Sequence, residues 1–199
     1  MGEQPVGPPR RVPAPVPVDL GPPRSRRGGR VGEAVDALSL AVNVHLTRRH
    51  PVSVVHFVTR RCNARCSFCF IDFDHPSPRS AELTVDEIDR LTRTMGPNLS
   101  NVNITGGEPF LRGDLIDIAR AYYRNAGVRS VYITSNGGFP DRVEQFARTV
   151  ADEFGDRKLI VSLSIDAFAE EHNRIRNVDG LFDKTLASYR ALRAIGGPV

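Results

Sequence analysis

Val52-Ser-Val-Val-His-Phe-Val-Thr59 runs directly into Arg60-Arg-Cys62-Asn-Ala-Arg-Cys66-Ser-Phe-Cys69-Phe70. The first part is rich in β-branched side chains and follows Pro51, which predicts a strand over residues 52–59. From there the chain alternates. A capping box (Thr84, Glu87) opens a helix whose buried face reads Ile88, Leu91 and Met95. A strand is predicted over 101–105, then a helix marked by Leu115, Ile118, Ala119 and Tyr122 and stopped by Gly127. A third strand over 128–134 precedes a helix with Val143, Phe146, Ala147 and Val150. A fourth over 159–165 precedes one with Phe182, Leu186 and Tyr189, ending at Gly196. Four successive βα units imply an α/β fold with parallel strands. A barrel-like arc and an open doubly wound sheet both satisfy that pattern.

Upstream lies different material. Residues 1–30 carry eight of the fifteen prolines, and such a segment buries too little apolar surface to offset its ordering entropy. We expect a disordered leader over 1–32, an N-terminal helix over 33–50 (Val35, Leu38, Val42 and Leu46 at helical spacing) and a core over 51–199. The net charge of +4 belongs to the leader end. Eight arginines up to residue 49 face Glu3, Asp19, Glu33 and Asp36, and the remaining 19 basic and 19 acidic residues balance. The core thus lacks the basic bias of a nucleic-acid groove, and no nucleic-acid partner is expected. No apolar run reaches the length of a membrane span, so no membrane partner is expected and the cytoplasm is the expected location.

The cysteines are odd in number and crowded into eight residues, which argues against disulfides and for metal. Their Cys-x3-Cys-x2-Cys spacing lets three thiolates converge on one small object. In a four-iron cluster that leaves one iron without a protein ligand. The alternative is a Cys3His zinc site completed by His56 or His75. After the second strand, Gly106-Gly107-Glu108-Pro109 reads either as a plain turn or as a backbone that approaches a ligand, with a carboxylate for an ammonium group. Ser135-Asn136-Gly137 follows the third strand. On the fourth, Ser162, Ser164 and Asp166 share one face, as in a ligand-lined interior or an exposed edge strand. All of these lie at the C-terminal ends of strands, the edge where parallel sheets and barrels place their sites.

At these residues the chain resembles the radical S-adenosylmethionine (radical SAM) superfamily. Cys62, Cys66 and Cys69, with Phe68 before the third cysteine, match the family's cluster motif. Gly106, Gly107, Glu108 and Pro109 match the loop that holds the methionine amino group. Ser135 and Asn136 resemble the Thr-Asn-Gly after the third strand, with Ser where Thr is usual. Ser164, Asp166 and the stretch from His172 to Arg176 resemble the region that helps hold the cofactor's ribose and carboxylate. The resemblance implies a partial (β/α) barrel, truncated before its fifth strand where the family usually has six units. It implies a [4Fe-4S] cluster and S-adenosylmethionine as cofactors, Cys62, Cys66 and Cys69 as iron ligands, and Phe68, Gly106, Gly107, Glu108, Ser135, Asn136, Ser164, Asp166 and Arg176 as cofactor contacts. The expected activity is reductive cleavage of S-adenosylmethionine, giving a 5′-deoxyadenosyl radical that abstracts hydrogen from an unidentified substrate. The expected partners are an electron donor of the flavodoxin or ferredoxin type and a C-terminal half encoded elsewhere. A non-enzymatic metal-binding fragment, holding zinc or an iron–sulfur cluster, is the competing expectation.

Overall fold

In the computed structural model, residues 30–73, 82–96 and 98–196 are described, so the leader up to residue 29 lies outside them. Four strands form one sheet in the order β1-β2-β3-β4: β1 (Ser53–Thr59), β2 (Asn101–Gly106), β3 (Ser130–Ser135) and β4 (Lys158–Leu163). Every pairing is parallel. Val54 stands beside Val102, Val102 beside Val131 and Val131 beside Leu159. One step on, the row is His56, Ile104, Ile133 and Val161.

Those rows form the floor of the core. Helices α2 (Val85–Thr94), α3 (Leu115–Ala121), α4 (Pro140–Phe154) and α6 (Leu181–Ile195) follow the strands in turn. Ile88, Leu115, Ile118, Val143, Phe146, Ala147 and Val150 pack on the strand residues Val58, Val102, Ile104, Val131, Ile133 and Leu159 in one cluster. Each of the Val, Leu, Ile and Phe side chains among these contributes about 1.5–3 kcal/mol by leaving water. Among the described residues, nothing covers the other face of the sheet. It presents Val55 and Phe57 exposed on β1, Tyr132 on β3 and Ser162 on β4. Parallel sheets are ordinarily covered on both faces. A strand order without reversal, covered by helices on one side, is the arc of a barrel and not a doubly wound sheet.

Local signals held where they were strongest. Thr84 Oγ1 accepts from the Glu87 N–H at 3.3 Å while the Glu87 carboxylate accepts from the Thr84 N–H at 2.8 Å, closing the capping box. Gly127 ends the α3 segment at φ 63°. Other readings need correction. In α2, Leu91 is exposed and Thr92 is buried in its place, bonded to the Asp89 carbonyl and Asn125. In α6 the buried residues are Leu181, Thr185 and Ser188, not the apolar stripe, and Tyr189 is exposed. Strand β4 ends at Leu163, and a short helix not foreseen, α5 (Ala169–Arg176), intervenes. The N-terminal helix α1 (Arg30–Val42) forms, followed by a wider π-type turn over Asn43–Thr47. Asn43 holds that turn by accepting from the Arg49 and His50 N–H groups and donating to the His50 carbonyl. Val35, Leu38, Val42 and Leu46 remain exposed. No helix among the described residues is long and apolar enough to cross a membrane.

His56 sits on the helix-covered face of β1. Its Nδ1 shares a hydrogen bond with the Tyr122 hydroxyl at 3.1 Å. Burial, with a smaller contribution from Arg112, lowers its pKa from the ordinary 6.5 to about 4. The folded state thus resists a proton that the unfolded chain accepts. Stability is full above pH 6.5 and falls as pH drops from 6.5 towards 4. Thermal unfolding at pH 7 and pH 4.5 is expected to show a smaller acid-induced drop for His56→Gln than for the wild type. Equal drops would remove His56 as the source.

Candidate active site

The C-terminal edge of the sheet is organised by two glycines and a buried acid. A Cβ on Gly106, which has φ 133°, would lie 2.2 Å from the Thr59 carbonyl oxygen, and one on Gly107 would lie 2.1 Å from that of Arg61. The glycines are required because the chain leaving β1 passes directly against them. Gly107 N–H donates to Thr59 and Glu108 N–H to Arg61, each at 2.8 Å. The Glu108 side chain has no solvent exposure. Its Oε1 accepts from the Ser135 hydroxyl at 2.9 Å and the Phe110 N–H at 3.1 Å, and its Oε2 from the Asn136 N–H at 2.8 Å. Burial pushes its carboxyl up, outweighing those donors and Arg176, which pull it down. The expected ammonium-facing carboxylate is thus a staple between the ends of β2 and β3.

The cysteine loop lies across this staple. All three thiols are half-buried. Backbone amides point at two of them: Ala64 N–H at Cys62 Sγ and Ile71 N–H at Cys69 Sγ, both at 3.4 Å. The Asn136 carboxamide donates to Asn63 Oδ1 at 2.8 Å and approaches Cys62 Sγ at 3.9 Å. Burial raises the pKa of Cys62 and Cys66, and the neighbouring thiolates add to it, while Arg176 draws Cys66 back down. The loop is also tied to α5, since Arg65 N–H donates to the Arg176 carbonyl and Ser67 N–H to that of Ile175.

Arg176 and Asp166 both reach this edge, paired with each other by two bonds of 2.6 and 2.9 Å. The guanidinium stands 5.7 Å from the Phe68 ring centre. Asp166 N–H donates to His172 Nδ1 at 3.3 Å, and the fully buried His172 Nε2 has no hydrogen-bond partner among the described residues. Ser164 lies just past β4 and extends its pairing through a backbone bond to Ser135. Thr185 and Ser188 of α6 donate to the carbonyls of Asn136 and Gly137, both at 2.7 Å.

This donor set fits an iron–sulfur cluster. Soft thiolates select zinc or iron–sulfur clusters. A structural zinc site needs a fourth protein ligand, with zinc–sulfur bonds of about 2.3 Å drawing the ligands around one ion. His56 is committed to Tyr122 on the far face, and His75 lies outside the described residues. Among the described residues no three His, Cys, Asp or Glu side chains are grouped to hold a single ion. A cubane takes one thiolate per iron, so its cysteines surround a larger object. N–H groups directed at sulfur are the contacts that tune such clusters.

The sequence profile of the radical SAM superfamily matches residues 57–199. The chain belongs to that superfamily. Radical SAM proteins use a [4Fe-4S] cluster and S-adenosylmethionine. A GTP 3',8-cyclase from Tolumonas auensis is 33% identical over 144 residues, which cover 68% of this chain and 41% of that one. A GTP 3',8-cyclase from Stenotrophomonas maltophilia is 43% identical over 81 residues, covering 40% of this chain and 25% of that one. The crystal structure of Streptococcus suis SuiB bound to S-adenosylmethionine shares the fold at a TM-score of 0.60 and 15% identity, over 85% of this chain and 39% of that one. Methylornithine synthase (PylB) shares it at 0.53 and 19%, over 86% and 50%. The radical SAM chain described here therefore spans well under half the length of the curated relatives it matches.

Several supporting residues escaped the sequence reading. Arg112, which is buried, donates to the carbonyls of Val58 and Leu83 and pairs with Asp114. Its signal was the charged pair flanking Gly113. Thr185 and Ser188 carried one too, a polar pair at helical spacing, but the more hydrophobic stripe beside them drew the assignment. Glu108→Gln turns one acceptor into a donor facing an N–H or a hydroxyl. It is expected to cost about 1–3 kcal/mol in urea unfolding, against less than about 0.5 kcal/mol for Ser162→Ala on the open face. Equal stability of the two variants would refute the staple.

Proposed function

We propose that this chain is the cluster-bearing part of a radical SAM enzyme, in which Cys62, Cys66 and Cys69 each bind one iron of a [4Fe-4S] cluster. The observation that carries this is the arrangement of the loop. Three half-buried cysteines, two of whose sulfurs receive backbone N–H groups, are pinned to the strand-end edge, and the sequence holds no fourth cysteine. When bound, the cluster with S-adenosylmethionine and one electron from a reductant supplies cleavage to methionine and a 5′-deoxyadenosyl radical for hydrogen abstraction.

The chain's own residues bind and orient. The Gly106–Gly107 backbone beside the cysteine loop receives the methionine end of the cofactor. Glu108 serves it from beneath, holding Ser135 and Asn136 at fixed positions. Ser164, Asp166 and Arg176 line the neighbouring strand end for ribose and carboxylate, and Phe68 covers the loop. The open sheet face, with Thr105, Thr134 and Ser162 in its upper rows, is where we place the substrate. Electrons come from a donor of the flavodoxin or ferredoxin type. The edge of β4, which pairs with no further strand among the described residues, and the stripe of half-buried Phe182 and Leu186 with exposed Tyr189 suit further βα units, within this polypeptide or another.

Anaerobic reconstitution with iron and sulfide is expected to give about one four-iron cluster per chain, lost on changing any of the three cysteines to Ala. Stoichiometric zinc that iron does not displace would overturn this reading.

A further inference from the structure

Arg176 stands beside the cysteine loop as a cation held in place by its neighbours. Its side chain is largely buried, and Asp166 grips Nε and Nη2 together, which fixes the plane of the guanidinium. The ring of Phe68, within the cysteine motif, lies against it. Its backbone carbonyl accepts the Arg65 N–H, so charge and loop are attached to one residue. Asn177, at φ 53°, closes α5 immediately afterwards and fixes the end of the helix that presents both. Asp166 is itself held through its N–H on the buried His172 ring. A long flexible side chain has thereby been turned into a fixed charge.

We propose that Arg176 is a positioning residue whose fixed charge sets the reduction potential of the cluster held by Cys62, Cys66 and Cys69, with Asp166 opposing it. The inference rests on the cluster assignment above. Reduction adds one negative charge to the cluster, so a nearby cation favours the reduced state and its carboxylate partner disfavours it.

The test is a potentiometric titration of the reconstituted cluster followed by electron paramagnetic resonance, alongside iron content and absorption spectra. At the wild-type midpoint, Arg176→Gln is expected to lower the reduced-to-oxidised ratio by roughly three- to tenfold, and Arg176→Lys by less. Asp166→Asn is expected to move the ratio the opposite way. Arg174→Gln, an exposed partner of Glu171 on the same helix, is expected to leave it unchanged. A purely structural role would lower iron content in both Arg176 and Asp166 variants without shifts of opposite sign. If Arg176→Gln fails to load, Arg176→Lys and Asp166→Asn still decide the matter. Loaded variants that titrate at the wild-type midpoint overturn this proposal. A wild type that takes up no cluster overturns the cluster assignment instead.

Discussion

A buried carboxylate must find donors or give up its charge, and Glu108 solves that problem in a way that determines the rest of the site. Its three donors come from two strand ends: Phe110 follows β2, Ser135 is the last residue of β3 and Asn136 follows it. Its own N–H reaches back to Arg61 at the exit of β1. One residue therefore sets the separation of three strand ends. A cysteine loop that leaves β1 from any other position would lose its approach to Asn136. The paired glycines belong to the same constraint, because the Glu108–Arg61 bond brings the two backbones too close for a Cβ.

Around this staple the supports follow in layers. Arg112 fastens the last turn of β1 and the entry to α2 to the loop carrying Glu108. Thr185 and Ser188 hold the β3 loop from behind, and α5 holds the cysteine loop from the side. Each of these groups satisfies backbone carbonyls or amides that irregular loops leave unpaired. The loops can then be placed at the sheet edge with little regular structure of their own. The open face beyond them stays free for chemistry, because the apolar core lies on the opposite side.

The fold was legible wherever a local pattern and the global packing agreed. Four βα periods, the Thr84–Glu87 box and the buried set Val143, Phe146, Ala147 and Val150 all appeared as the residues indicated. Reading failed where a polar residue carried out a core task. Thr92, Thr185 and Ser188 are buried for their hydrogen bonds, so hydrophobic periodicity passed them over in favour of Leu91 and Tyr189. The site was legible as a list and less so as an arrangement. The residues from Cys62 to Arg176 do gather at one edge, yet Asp166 and Arg176 face each other and Glu108 faces inward, which no spacing along the chain could reveal. The same applies to Gly106 and Gly107, where a close approach to backbone and one to a ligand leave identical marks in sequence.

The central claim is that three cysteines leave one iron of a cluster open to the cofactor beside Gly106 and Gly107. Electron–nuclear double resonance on the reduced, reconstituted protein, with S-adenosylmethionine labelled with nitrogen-15 at the methionine amino group, addresses it directly. The account predicts a nitrogen-15 coupling to the cluster spin that vanishes when unlabelled cofactor is used. A reduced four-iron cluster that shows no such coupling with the cofactor at saturation would contradict it.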